Sequence, residues 1–159
     1  MHEDLKKAHE RRVAEKFLLE YRHATECALR LCRQGERPDC ICRDDHTGEE
    51  IGLEIGTAYY ENAPAASEWE RARGKAPSDY LLTRPDSAEN ERAFQQGERI
   101  LQEKCSKPRD HFDMSRPVWL LVYTSPWRLY FNSLLVKKRL EALLLPAGHP
   151  FARIFVMSE

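Results

Sequence analysis

Two acidic residues, Asp39 and Glu54, stand where neighbouring β-strands could bring their carboxylates together. Asp39 opens the β-like run Asp39–Arg43, and Glu54 lies within the run Glu50–Thr57. The turn-forming cluster Asp44–Gly48 separates the two runs, so the pattern predicts a β-hairpin. Two carboxylates held side by side are unfavourable unless one is protonated or a cation lies between them. Because magnesium favours such oxygen ligands, completed by water and substrate phosphate, the pair predicts a metal site.

The glycines two residues before and after Glu54 support the same prediction of a metal site. Side chains alternate along a strand, so Gly52, Glu54 and Gly56 share one face. Glycine within a strand often marks a place where a ligand or another backbone comes close. We therefore expect open space on both sides of the Glu54 carboxylate, through which it could reach a metal ion or a phosphate. A metal ion bound there would activate water for attack on phosphorus.

Helical and strand-like patterns predict the elements that must position this hairpin. Between about Asp4 and Arg33 there is no Pro or Gly, and apolar residues recur at helical spacing, which predicts one long amphipathic helix. A long loop is predicted over Ala58–Ser87. The later elements are a helix ending near Cys105, a central strand Val118–Thr124, a helix Ser133–Leu145 and a closing strand Phe151–Met157. This order predicts an α/β fold with a mixed β-sheet flanked by helices.

The composition narrows the class of protein. A chain of 159 residues predicts a single domain over residues 1–159. Its 25 Lys and Arg nearly balance its 26 Asp and Glu, so any affinity for nucleic acid must come from a local basic surface. No apolar run is long enough to cross a bilayer and Met1–Arg12 is charged, so we expect a cytoplasmic protein without membrane association. Five cysteines at irregular spacing fit a reducing compartment.

The two hairpin segments resemble a known nuclease signature. Arg37-Pro-Asp-Cys-Ile-Cys42, followed by Ile51-Gly-Leu-Glu-Ile-Gly56, is similar to the motif of the PD-(D/E)XK nuclease superfamily, which has the restriction-endonuclease-like fold. The resemblance implies that Asp39 and Glu54 bind magnesium or manganese and that the chain hydrolyses phosphodiester bonds of DNA. It covers the hairpin closely and the later helix-strand-helix-strand order loosely. The fold also has a strand ahead of the Asp-bearing one, and none is predicted here.

The lysine of that motif, two residues after the Glu, is absent because Gly56 stands there. Some members of the superfamily supply the lysine from a neighbouring helix. This implies Lys104 on the second predicted helix as the replacement, with Gln96 a few turns earlier as a substrate-binding residue. Members of the fold also often carry an acidic residue on the first helix, a place that Glu20 or Glu15 could take.

Other interpretations of these residues stay open. Asp39 could be a turn residue, Glu54 a solvent-facing strand residue and Lys104 a solvated helix residue. A zinc site could in principle be built from Cys32, Cys40 and Cys42 with His23 or His46, although the spacing matches no finger or ribbon. The chain could also be a catalytically inactive member of the same fold that binds nucleic acid or protein. A more distant alternative is a small interaction protein whose long first helix docks a partner.

Overall fold

A computed structural model of the chain describes residues 2–58, 87–124 and 133–158. The helices in these ranges are α1 (His2–Thr25), α2 (Ser87–Cys105) and α3 (Ser133–Glu141). The strands are β1 (Leu29–Gln34), β2 (Cys40–Asp44), β3 (Glu50–Ala58), β4 (Val118–Thr124) and β5 (Arg153–Ser158). Almost all of the predicted loop over Ala58–Ser87 lies outside the described residues. Within the described ranges, no helix combines the length and the apolar character needed to cross a membrane.

The first helix is shorter than its sequence pattern predicts. α1 ends at Thr25, and Leu29–Gln34 forms a strand rather than the last turns of a helix that continues to Arg33. The backbone leaves the helix at Glu26, whose φ of 61° lies in the left-handed region. In the following segment Arg30 and Arg33 are exposed and the other residues are half-buried, and the strand register shifts between Leu31 and Arg33. The predicted helix through Arg33 is therefore wrong, and a strand precedes the Asp39 strand.

The five strands form one mixed sheet in the order β1-β2-β3-β4-β5, flanked by helices, which confirms the predicted α/β class. β1 pairs antiparallel with β2, and β2 pairs antiparallel with β3, so the predicted hairpin is also confirmed. β4 matches the predicted central strand residue for residue, and all seven of its residues are buried. Continuous burial is what a strand covered on both faces requires.

The contacts within the chain divide it into two compact units. The first unit comprises the described parts of Met1–Ile55, Lys107–Leu121 and Gly148–Phe155. Its core combines buried residues of α1, among them Val13 and Ala14, with an aromatic cluster. The rings of this cluster have centroids 5.0 to 5.8 Å apart and belong to Phe17, Tyr21, Trp119 and Phe155. Aromatic pairs at these separations add to the stabilisation from buried area.

The second unit comprises the described parts of Gly56–Ser106, Val122–Ala147 and Val156–Glu159. Here α2 and α3 pack closely at Gly97, because a β-carbon at that residue would lie 2.6 Å from Leu140 Cδ1. Arg139 of α3 donates to Glu91 Oε2 at 2.7 Å, and its guanidinium lies 3.9 Å from the centre of the Phe94 ring. α3 ends at Glu141, four residues before its predicted end.

Candidate metal centre

Asp39 directly precedes β2, and Glu54 lies within the neighbouring strand β3. The antiparallel register ends with Cys40 opposite Leu53, and Asp39 and Glu54 are the residues adjoining that last pair. Directly opposed residues of an antiparallel pair project to the same face, with β-carbons about 4.5–5.5 Å apart. The structure therefore brings the two predicted acids to one side of the sheet.

Both acids are buried, each with a relative exposure of only 4%. Asp39 Oδ2 accepts a hydrogen bond from the Ile55 backbone N–H at 2.8 Å, which ties the Asp39 carboxylate to β3 beside Glu54. Asp39 is therefore not merely a turn residue, and Glu54 is not a solvent-facing strand residue. Two neighbouring buried carboxylates require a compensating proton or cation, as the predicted binding of a metal ion supposes.

The glycines beside Glu54 do not leave the open space that the sequence predicts. At Gly52 the ring of Pro38 lies where a β-carbon would be, and Val118 Cγ2 is 3.4 Å from that point. At Gly56 a β-carbon would lie 2.5 Å from Ile100 Cγ2. Each glycine thus accommodates a residue of the protein itself packed against the strand, rather than a ligand.

Lys104 lies beside the position that the motif lysine would occupy. The Cε atom of Lys104 is 3.9 Å from the point where a β-carbon at Gly56 would lie, and Lys104 is partly buried. Ile100, one turn earlier on α2, contacts the same glycine. Gln96, a further turn back, accepts a hydrogen bond from Arg99 at 2.9 Å on its own helix. The roles assigned to Lys104 and Gln96 stay predictions.

A third acid, Glu10 of α1, lies near Asp39. Its relative exposure is 4%, and its Oε2 atom accepts no hydrogen bond from the residues that the structure describes. Burial raises the pKa of Glu10, and the nearby charge of Asp39 raises it further. Glu20 and Glu15, the helix acids considered from the sequence, are both exposed. The helix acid that the structure brings to Asp39 is thus Glu10.

The sequence contains a signal for Glu10 that its analysis missed. Residues three, four and seven positions apart share one face of a helix, so Glu10 lies on the stripe of Val13, Ala14 and Phe17. All four of these residues are buried. A carboxylate within the apolar stripe of a helix is the feature that separates Glu10 from the acids on the solvated faces.

Two lysines of α1 neighbour Glu10. Lys6 Nζ lies 3.4 Å from Glu10 Oε1, and Lys7 Nζ lies 3.7 Å from Glu10 Oε2. Burial acts to lower the pKa of Lys6, but the carboxylates of Glu10 and Asp39 together outweigh it, so this pKa is raised. Lys7 also donates to the backbone oxygen of Gly35. These ammonium groups supply part of the positive charge that the acids require.

Replacing Glu10 with Gln should stabilise the protein at pH 8 and leave its stability near that of the wild type at pH 4. A raised pKa means that the folded state binds the Glu10 proton more tightly than the unfolded state. This contribution is complete below the unfolded pKa and is lost as the pH rises through the folded pKa. We expect a gain at pH 8 of about 1 kcal/mol, a usual size for one substitution, in the free energy of urea unfolding.

The matched control is Glu15→Gln, which changes an exposed carboxylate of the same helix. An equal effect of Glu10→Gln at both pH values would show that the charge of Glu10 is not the cause.

The cysteines considered for zinc do not assemble a site among residues 2–58, 87–124 and 133–158. No group of three or more His, Cys, Asp or Glu side chains there is placed to hold a metal ion. Cys40 and Cys42 are buried, and burial raises the pKa of Cys42 to about 12. Such thiols are poor sources of the thiolate that zinc binds, and they serve as small apolar side chains.

Magnesium does not need three protein ligands. It is usually bound through one or two carboxylates, with waters and substrate phosphates completing the octahedron. Asp39 and Glu54 are such a pair of carboxylates, both buried. The donor set therefore suits a hard divalent cation, magnesium or manganese.

Fold and site together define an α/β protein with a mixed five-stranded sheet and two buried acids, Asp39 just before β2 and Glu54 within β3. Comparisons of the chain with protein-family models, with curated proteins and with solved structures find no match. The function must therefore be inferred from the chemistry of the site.

Proposed function

We propose that the chain is a magnesium-dependent nuclease-like domain that hydrolyses phosphodiester bonds of DNA. The observation that carries the proposal is the pair of buried carboxylates, Glu54 within β3 and Asp39, whose carboxylate is bonded to the next residue of β3, Ile55. Glu10 joins them as the acid from the first helix. A divalent cation would relieve the repulsion among these carboxylates and bind the phosphate of a substrate.

The order of elements supports a restriction-endonuclease-like core. The sequence resemblance lacked a strand ahead of the Asp-bearing one, and β1 now occupies that place. It also lacked a fixed acid on the first helix, for which Glu10 is the candidate. The strand was absent from the sequence prediction, and Glu10 takes the place for which the sequence offered Glu20 or Glu15.

The proposed roles follow from where each side chain lies. Asp39, fixed by the Ile55 N–H, and Glu54 would hold the cation, and a bound cation would supply the activation of water and the stabilisation of the leaving oxygen. Glu10, whose pKa is raised, is the carboxylate best suited to hold a proton when the cation is absent. Lys104 takes the part of the missing strand lysine and positions the scissile phosphate or the attacking water, with Gln96 as a substrate contact.

A catalytically inactive domain of the same fold is the second candidate. Lys6 and Lys7 favour it, because their ammonium groups lie 3.4 and 3.7 Å from Glu10 and can neutralise the acids in place of a metal ion. The absence of a lysine at Gly56 agrees with it as well. Such a domain would bind nucleic acid or a protein partner without cleaving a bond.

Incubation with supercoiled plasmid and with linear duplex DNA separates the two candidates. If the domain is a nuclease, both substrates are cleaved in magnesium or manganese, cleavage stops when EDTA is added, and the metal raises the thermal unfolding temperature. DNA binding without cleavage under all of these conditions would favour the inactive domain. A protein that neither binds DNA nor is stabilised by metal would contradict both nucleic-acid candidates.

A further inference from the structure

Three arginines surround a single carboxylate on the sheet of the first unit. Arg43 Nη2 lies 3.0 Å from Glu50 Oε2, Arg33 Nη1 lies 3.6 Å from the same oxygen, and Arg116 Nη2 lies 3.4 Å from Glu50 Oε1. Arg116 also bonds Asp113 Oδ2 at 3.1 Å. The hydrogen bond from Arg43, with the charges of the other arginines, lowers the pKa of Glu50, so Glu50 stays ionised as the central anion.

This arginine cluster, Arg33, Arg43 and Arg116, has more donors and more charge than its acids can use. Each guanidinium has five N–H donors, and the Arg33 contact with Glu50 is too long for a hydrogen bond. With three guanidinium charges against Glu50 and Asp113, the cluster keeps one net positive charge. The side chains of Arg33 and Arg43 are 56% and 47% exposed, so an anion can reach them from solvent.

The arginine cluster lies on the same face of the sheet as the acidic pair. Arg43 is paired with Glu50 in the β2–β3 register, and residues two apart on a strand share a face. Glu50 therefore projects to the side of Glu54, four residues further along β3. At about 3.3 Å per residue the two positions are roughly 13 Å apart.

We propose that Arg33, Arg43 and Arg116 form a binding site for backbone phosphates of the nucleic acid whose scissile phosphate lies at Asp39 and Glu54. The identification of the ligand rests on the proposed function. Glu50 holds the guanidiniums in place, and their outer donors receive phosphate oxygens in the bidentate geometry that arginine favours. This local basic surface gives a chain of nearly balanced charge a place to bind a polyanion.

The test is the binding of a fluorescently labelled DNA duplex, measured in EDTA over a range of salt concentrations. Arg33→Ala with Arg43→Ala should weaken binding roughly tenfold and reduce the slope of log K against log salt by about 1.8, since each lost phosphate contact contributes about 0.9. The control pair Arg11→Ala with Arg22→Ala removes the same charge from exposed positions of α1 and should change the affinity less than twofold. Arg33→Lys with Arg43→Lys should keep the slope, which guards against an effect of misfolding.

The outcomes distinguish this site from the nuclease activity. Equal weakening by the two alanine pairs, no weakening by either, or no duplex binding by the wild type would overturn the arginine site. Binding that depends on Arg33 and Arg43 in a protein that never cleaves DNA would uphold the site and reject the proposed enzyme. Metal-dependent cleavage, together with unchanged DNA binding by the Arg33 and Arg43 variants, would support the proposed enzyme and reject the arginine site.

Discussion

Glu54→Gln should reduce metal-dependent DNA cleavage by about a hundredfold to a thousandfold, the usual cost of losing one preorganised electrostatic group at a reacting centre. The amide keeps the size of the side chain but removes the negative charge that attracts a cation. Because Glu54 is buried directly opposite Asp39, the change also removes the repulsion between the two acids. The folded protein should therefore remain stable while its activity is lost.

Metal binding gives a second measurement on the same variant. A ligand that binds only the folded state adds about 2.7 kcal/mol at 100 times its dissociation constant, and Glu54→Gln should lose most of this stabilisation. Glu49→Gln is the matched control, because Glu49 is exposed and lies just before β3. Cleavage by Glu54→Gln at the wild-type rate, with the usual stabilisation by magnesium, would remove Glu54 from the site.

Local patterns in the sequence were sufficient to predict the hairpin and the central strand. The turn cluster before Glu50 fixes where the chain reverses, and the continuous apolar run Val118–Thr124 suits a strand buried on both faces. Together with the register, these elements bring Asp39 and Glu54 to one face. The core of the candidate site was thus predictable, because it depends on one short-range reversal of the chain.

The remaining features depend on long-range packing that a single sequence does not display. The helical spacing continues past Thr25, yet β1 gains a ladder of hydrogen bonds with β2, so tertiary pairing overrides the local preference. From the sequence, Gly52 predicts open space beside the strand, whereas in the structure Pro38 packs against it. Glu10 stands on the apolar stripe of α1 in the sequence, but its proximity to Asp39 depends on how α1 packs.

Lys104→Ala should lower kcat for DNA cleavage by about a hundredfold, the lower range for a positioned proton-transfer or electrostatic group, with a smaller change in KM. The side chain of Lys104 lies beside Gly56, with its Cε 3.9 Å from the point where a β-carbon at Gly56 would lie. Lys137→Ala, which removes a lysine paired with Glu141 on α3, is the control and should leave cleavage unchanged. Full activity of Lys104→Ala would reject the role assigned to Lys104 and would leave the proposed roles of Asp39 and Glu54 unaffected.

A transplanted lysine tests the same role by gain of function. Gly56→Lys alone should destabilise the protein by about 1–3 kcal/mol, because its β-carbon would lie 2.5 Å from Ile100 Cγ2 and overpack the contact. Adding Ile100→Ala relieves this clash and opens a path for the new side chain. In a Lys104→Ala background, Gly56→Lys with Ile100→Ala should then raise kcat about tenfold above that of Lys104→Ala alone. This gain is part of the range that one positioned proton-transfer group contributes. Ile100→Ala in the same background lacks the new lysine and should not raise kcat. An equal rise in both variants would show that relief of packing, and not the ammonium group, restores cleavage.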